Sequence, residues 1–128
     1  MSESNMWKAL KPLFESKGFD AHRIENKIEL GTPDVNYLHG WIELKYKSKW
    51  PVRGGILKVE HFTELQRRWL DRRQKCGGRA FVLLKVNKEW ILFDGRTGSE
   101  TLGYHPKDTL LKHALICTTN KNKLLDYL

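Results

Sequence analysis

Glu43 and Lys45 stand two residues apart in the run Trp41-Ile42-Glu43-Leu44-Lys45-Tyr46, where charged and apolar residues alternate after Trp41. Alternation with period two is the signature of a β-strand, so both charged side chains leave one face of a sheet. Ile42, Leu44 and Tyr46 take the other face and can pack on a helix. Asp34 opens the preceding extended piece, and a tight turn at His39-Gly40 pairs the two strands, bringing Asp34 beside Glu43 with Lys45 next to them. Two carboxylates held that close repel unless a cation neutralises them. Oxygen ligands with room for water and a phosphate suit Mg²⁺, with Mn²⁺ as a substitute. The plainer reading is an Asp in a turn and an exposed Glu-Lys strand pair, an arrangement that contributes little energy.

The elements that must carry these residues can be read from periodicity. Met6, Trp7, Leu10, Leu13 and Phe14 recur at helical spacing, predicting a helix over Asn5–Lys17 that Gly18 ends in the left-handed conformation. Strands are expected over Phe19–Ile24, more briefly over Lys27–Leu30, and over Asp34–Leu38 after the Gly31-Thr32-Pro33 turn. A long helix is expected over Lys58–Cys76, with Val59, Phe62, Leu65 and Trp69 as its apolar stripe and Gly77-Gly78 as its stop. Arg79–Val86 is apolar on both faces, as in a central strand covered on each side, and a hairpin at Asn87-Lys88-Glu89 leads into Trp90–Phe93. Gly95-Arg96-Thr97-Gly98 reads as a turn, followed by a short helix near Lys107–Leu115, a brief extended stretch and a polar end. The order predicts an α/β fold, a central mixed β-sheet flanked by α-helices, within one domain over residues 1–128.

Composition narrows the class of partner. The 23 Lys and Arg against 15 Asp and Glu leave a formal charge of +8, which suits a polyanion because each neutralised phosphate releases counterions. Cys76 and Cys117 are too few and too distant in sequence for a zinc cluster, and read as buried thiols in a reducing compartment. No secretory leader and no membrane span are expected, which points to the cytoplasm of a cell or an infected host cell. The histidines lack metal-binding spacing, and no phosphate-loop or dinucleotide motif is present, so no nucleotide cofactor is expected.

Pro33-Asp34, eight residues, then Glu43-Leu44-Lys45 resembles the signature of the PD-(D/E)XK nucleases. The segment His61-Phe62-Thr63-Glu64-Leu65-Gln66, a helix, and then Gly77-Gly78-Arg79-Ala80-Phe81-Val82 is similar to Holliday-junction resolvases of the RecU and archaeal types, and to small phage nucleases of VRR-NUC type. The resemblance covers about residues 3–94, leaving an extension over about 95–128. It implies a restriction-endonuclease-like core, metal binding by Asp34 and Glu43 with the Leu44 carbonyl as a further ligand, and Lys45 orienting the attacking water or stabilising the transition state. It further implies Mg²⁺-dependent cleavage of DNA, branched DNA foremost, and hence a two-fold homodimer that makes paired cuts. Flap, single-strand, exonuclease and restriction-type activities remain as alternatives, as do RNA as substrate and a non-catalytic binding module.

Many members of that superfamily add a glutamate from the first helix. At about 100° per residue, Glu3 aligns with the Met6-Leu10-Phe14 face, whereas Glu15 falls roughly opposite, so Glu3 is the expected additional ligand. Gln66 lies with the apolar stripe of its helix, where its amide needs partners, and is expected to position Lys45 or the water. DNA contacts are expected from Lys47, Lys49, Trp50 and Arg53 in the loop after the active strand, with Trp50 stacking on an unpaired base. Arg67 and Arg72, with Arg68 and Arg73, would extend that surface along the second helix.

Overall fold

The computed structural model describes residues 2–128. Helix α1 spans Glu3–Ser16, capped by the Ser2 hydroxyl, which accepts from the Asn5 amide. Met6, Leu10 and Phe14, spaced four apart, form its buried face. Gly18 follows with φ of 67°, the left-handed exit expected from the sequence.

Six strands build one sheet in chain order, β1 His22–Arg23, β2 Val35–Tyr37, β3 Gly40–Lys47, β4 Ala80–Val86, β5 Glu89–Asp94 and β6 Ile116–Thr118. Every neighbouring pair is antiparallel except β3 and β4. That parallel step needs a crossover, supplied by helix α2, Glu64–Lys75. Both edge strands are short, two residues in β1 and three in β6.

Each face of the sheet has its own apolar layer. α1 covers Ile42, Leu44, Phe81, Leu83 and Leu92, and the C-terminal Leu124 and Leu128 join that layer. On the opposite face, Val82, Leu84, Ile91 and Phe93 lie under α2, helix α3 (Gly95–Thr101) and helix α4 (Lys107–His113). β4 is buried at every position, as its two-sided apolar sequence requires.

Several sequence expectations are corrected. The helix expected from Lys58 starts only at Glu64, where Thr63 and Gln66 form a reciprocal capping box. Ahead of it the chain turns through His61, whose φ is +61°, and Leu65, expected in the apolar stripe, is half exposed. The strand expected over Phe19–Ile24 shrinks to His22–Arg23, and Lys27–Leu30 is a turn. Gly95–Gly98, read as a turn, opens α3 because Asp94 caps it through the Thr97 amide. Cys76 and Cys117 are exposed rather than buried. Among the described residues, no helix is long and apolar enough to cross a membrane.

Candidate active site

The β2–β3 hairpin sets the site. Its register places Val35 opposite Ile42, so Asp34, one residue earlier, falls beside Glu43 on the face away from α1. The Asp34 carboxylate is pinned there by the Leu44 amide, which donates to Oδ2 at 2.8 Å. Arg23 on β1 approaches the other oxygen, with 3.8 Å between its guanidinium and Oδ1.

Glu43 is 1% exposed, and its Oε2 has no hydrogen-bond partner. Burial pushes its pKa well above the ordinary carboxylate range. A hydrogen bond shared with Asp34 and the Asp34 charge push the same way, and Lys45 only partly offsets them. Glu3 adds to the rise, so its charge is felt at Glu43 from the start of α1. Glu15 instead lines a surface recess with Trp7, Lys11 and His22 on the other side of that helix.

Lys45 is 3% exposed, which for an ammonium demands partners. Its Nζ donates to the His61 carbonyl at 3.0 Å and to Gln66 Oε1 at 3.3 Å, and lies 5.0 Å from the centre of the Phe62 ring. The same Gln66 oxygen accepts from the Thr63 amide at 2.9 Å, so one side chain both caps α2 and holds the lysine. His61 presents its carbonyl from a left-handed backbone conformation that non-glycine residues seldom adopt.

A divalent cation fits this donor set. The unpartnered Glu43 oxygen, the Asp34 carboxylate and the raised Glu43 pKa all describe a buried site short of positive charge. Among the described residues, no three His, Cys, Asp or Glu side chains are arranged to hold a metal by themselves. That is compatible with Mg²⁺, which commonly binds through one or two carboxylates and fills its remaining positions with water and substrate phosphate.

The residues expected to grip DNA have different fates. Lys47 is tied to Glu60 at 2.9 Å, whereas Lys49 and Arg53 are exposed. Trp50 is half-buried, donates to Glu89 at 2.8 Å and lies under the Lys107 ammonium, so it anchors its loop to the β4–β5 hairpin. Arg67 is built into the fold, donating to the Phe62 and Ser99 carbonyls and stacking on Phe62 and Tyr104. Arg68 pairs with Glu64 within the helix, and Arg72 is exposed. Sequence reasoning did not single out Arg23, the His61 carbonyl or the Phe62 ring. Nothing local to Arg23 marks it as a neighbour of Asp34 until the β1–β2 register, with Arg23 opposite Val35, is known.

No family model matches the sequence, and no curated protein matches it. Among solved structures, the chain is similar to the 1.6 Å structure of Hjc, a Holliday junction resolvase from the archaeal hyperthermophile Archaeoglobus fulgidus, at a TM-score of 0.58 and 17% identity. The match covers 94% of this chain and 98% of that one. The mixed six-stranded sheet flanked by helices thus shares the restriction-endonuclease-like fold of that structure.

Proposed function

We propose that the chain is a metal-dependent nuclease that hydrolyses phosphodiester bonds in DNA, with branched DNA of the Holliday-junction kind as its substrate. The observation that carries this reading is the buried Glu43 carboxylate, with an unpartnered oxygen, set beside Asp34 and the buried Lys45 ammonium. A basic chain and a fold shared with a resolvase support it. A carboxylate pair in a protein that meets only a polyanion would weaken binding, so the pair makes sense if a cation intervenes.

In this reading Asp34, Glu43 and the Leu44 carbonyl hold the metal, and Glu3 contributes through its negative charge nearby. Bound Mg²⁺ or Mn²⁺ would polarise the scissile phosphate and lower the pKa of a coordinated water. The Leu44 amide fixes the Asp34 carboxylate, so one ligand is oriented before any ion arrives. Lys45 holds a fixed positive charge where negative charge develops in the transition state, and its two carbonyl partners prevent reorientation during the reaction. Gln66 is a positioning residue that acts through Lys45. Lys49, Arg53 and Arg72 are exposed and would contact phosphates flanking the cut. Two symmetric cuts in a four-way junction call for a two-fold homodimer.

The test is cleavage of an end-labelled four-way junction by the wild type and by Asp34→Ala, with Mg²⁺ and with EDTA. Paired symmetric nicks that vanish in the variant and in EDTA are expected. Cleavage of flap, single-stranded or linear DNA but not of junctions would retain the nuclease and remove the resolvase. Intact DNA in every lane would overturn both.

A further inference from the structure

α2 and β3 face each other along a seam that continues past the proposed metal site. At one end Lys45 meets Gln66, and one helical turn along Trp69 meets Trp41, with ring centres 5.2 Å apart and planes inclined at 65°. Trp41 lies two residues from Glu43 on the same strand face, so the indole sits roughly 7 Å along the strand from the carboxylate. Beyond the two indoles a cleft of about 340 Å³ opens, walled by Trp41, Trp69, Arg72, Arg73 and the loop residues Asn26 and Glu29. That volume is within the range of about 300–1,000 Å³ usual for small-ligand sites.

The walls are preformed. Asn26 Oδ1 accepts from the Ile28 and Glu29 amides, and its Nδ2 donates to Thr32, which locks the loop. Gly31, at φ of 94°, passes so near the Leu65 carbonyl that a Cβ there would stand 2.6 Å from its oxygen, which fixes the loop against α2. The cationic residues of α2 differ in their partners. Lys75 and Arg68 on α2 are paired with Asp71 and Glu64, whereas Arg72 and Arg73 have no ion pair among the described residues. Arg73 is instead held over the Trp69 ring at 4.5 Å, its positive charge facing the cleft. Glu29 also lines the cleft and disfavours an anion next to it. Two indoles, two guanidinium groups free of ion pairs and the acceptors of the Asn26–Glu29 loop lining one cleft match a nucleotide: base on the Trp41 indole, phosphate on the arginines.

We propose that this cleft receives one unstacked nucleotide of the DNA strand, a step or two along the backbone from the cut. The inference rests on the nuclease reading above and deepens it, because a cleft for an unpaired base selects branched or frayed DNA over continuous duplex. Its occupant is drawn from the substrate strand itself, and Trp41 and Arg73 are the residues that separate unpaired from paired DNA.

The experiment uses four-way junctions carrying 2-aminopurine at single positions around the branch point, titrated with the full chain in EDTA so that nothing is cut. Emission at one position is expected to be quenched by the indole stack. Arg73→Gln and Trp41→Leu are expected to abolish that quenching and to weaken junction binding about five-fold or more, the lower end of base-stacking contributions. Binding to continuous duplex by fluorescence anisotropy should change less than two-fold, and thermal melting identifies a variant that has lost its fold. Arg72→Gln, on an exposed side chain, supplies a second variant free of core packing. Equal weakening on junction and duplex would reduce the cleft to a phosphate contact and overturn the proposal, as would quenching untouched by Arg73→Gln. Since no readout involves cleavage, loss of junction nicking with quenching intact would sink the nuclease reading and leave the cleft standing.

Discussion

Replacing Glu43 by glutamine keeps the side chain's shape and removes its charge, and the two consequences oppose each other in a measurable way. In the metal-free protein Glu43 is buried, with an unpartnered oxygen and Asp34 beside it, so ionising its carboxyl is costly. Leaving a buried polar group unsatisfied costs about 1–3 kcal/mol, more when it is charged. The attraction of Lys45 works the other way, but it ranks below burial and both Asp34 contributions. The glutamine amide can donate to Asp34, satisfying both groups. At a pH above the raised Glu43 pKa, Glu43→Gln should therefore stabilise the metal-free protein by about 1–3 kcal/mol. At about 4 °C per kcal/mol for a chain of this length, the melting midpoint in EDTA rises by roughly 4–12 °C. The same variant should lose Mg²⁺-dependent cleavage. Scanning calorimetry in EDTA, with junction cleavage alongside, measures both. A variant that melts at or below the wild type would refute the reasoning, since the buried carboxylate would then carry no cost.

The raised Glu43 pKa fixes the sign of the pH dependence. Its stabilising contribution is fully present below the unfolded carboxylate pKa and is lost as pH rises through the higher folded value, so metal-free wild type should gain stability on mild acidification and Glu43→Gln should not. Mg²⁺ affinity should run oppositely, tightening as pH rises because the ion displaces the Glu43 proton, which isothermal titration at two pH values would detect. Lys45→Met should reduce cleavage by about 10²–10³-fold while leaving Mg²⁺ binding in place, and equal loss of both would contradict its assigned role. Gly31→Ala should cost more than about 1 kcal/mol in denaturant melts, because the left-handed φ and the Leu65 carbonyl both exclude a methyl group.

The convergence of Asp34, Glu43 and Lys45 was legible because it depends on two local regularities, the period of a strand and a tight hairpin, each contained within a dozen residues. The α1 face was legible for the same reason, with Met6, Leu10 and Phe14 carrying the helical period. The start of α2 was not, since Val59 and Phe62 sit at spacings that continue the helix, while His61 takes a left-handed conformation that no residue pattern announces. Trp50 looked like a free aromatic on a basic loop, yet its indole N–H finds Glu89, thirty-nine residues away in sequence. Arg67 likewise spends its guanidinium on carbonyls at Phe62 and Ser99. Such partners are set by how α2, α3 and the sheet pack, and no window of sequence contains them.

The shortness of β1 and β6 constrains how this molecule can meet others. A sheet edge recruits another chain by offering a row of unpaired N–H and C=O groups, and edges of two and three residues offer hardly one repeat of that pattern. Continuous cross-chain sheets are thereby disfavoured, and with them both runaway fibre growth and the simplest way of doubling the sheet. A second copy would have to dock through side chains on the helices and loops rather than by extending the sheet. The sheet remains free to act as a rigid platform that holds the β2–β3 hairpin still beneath the surrounding loops.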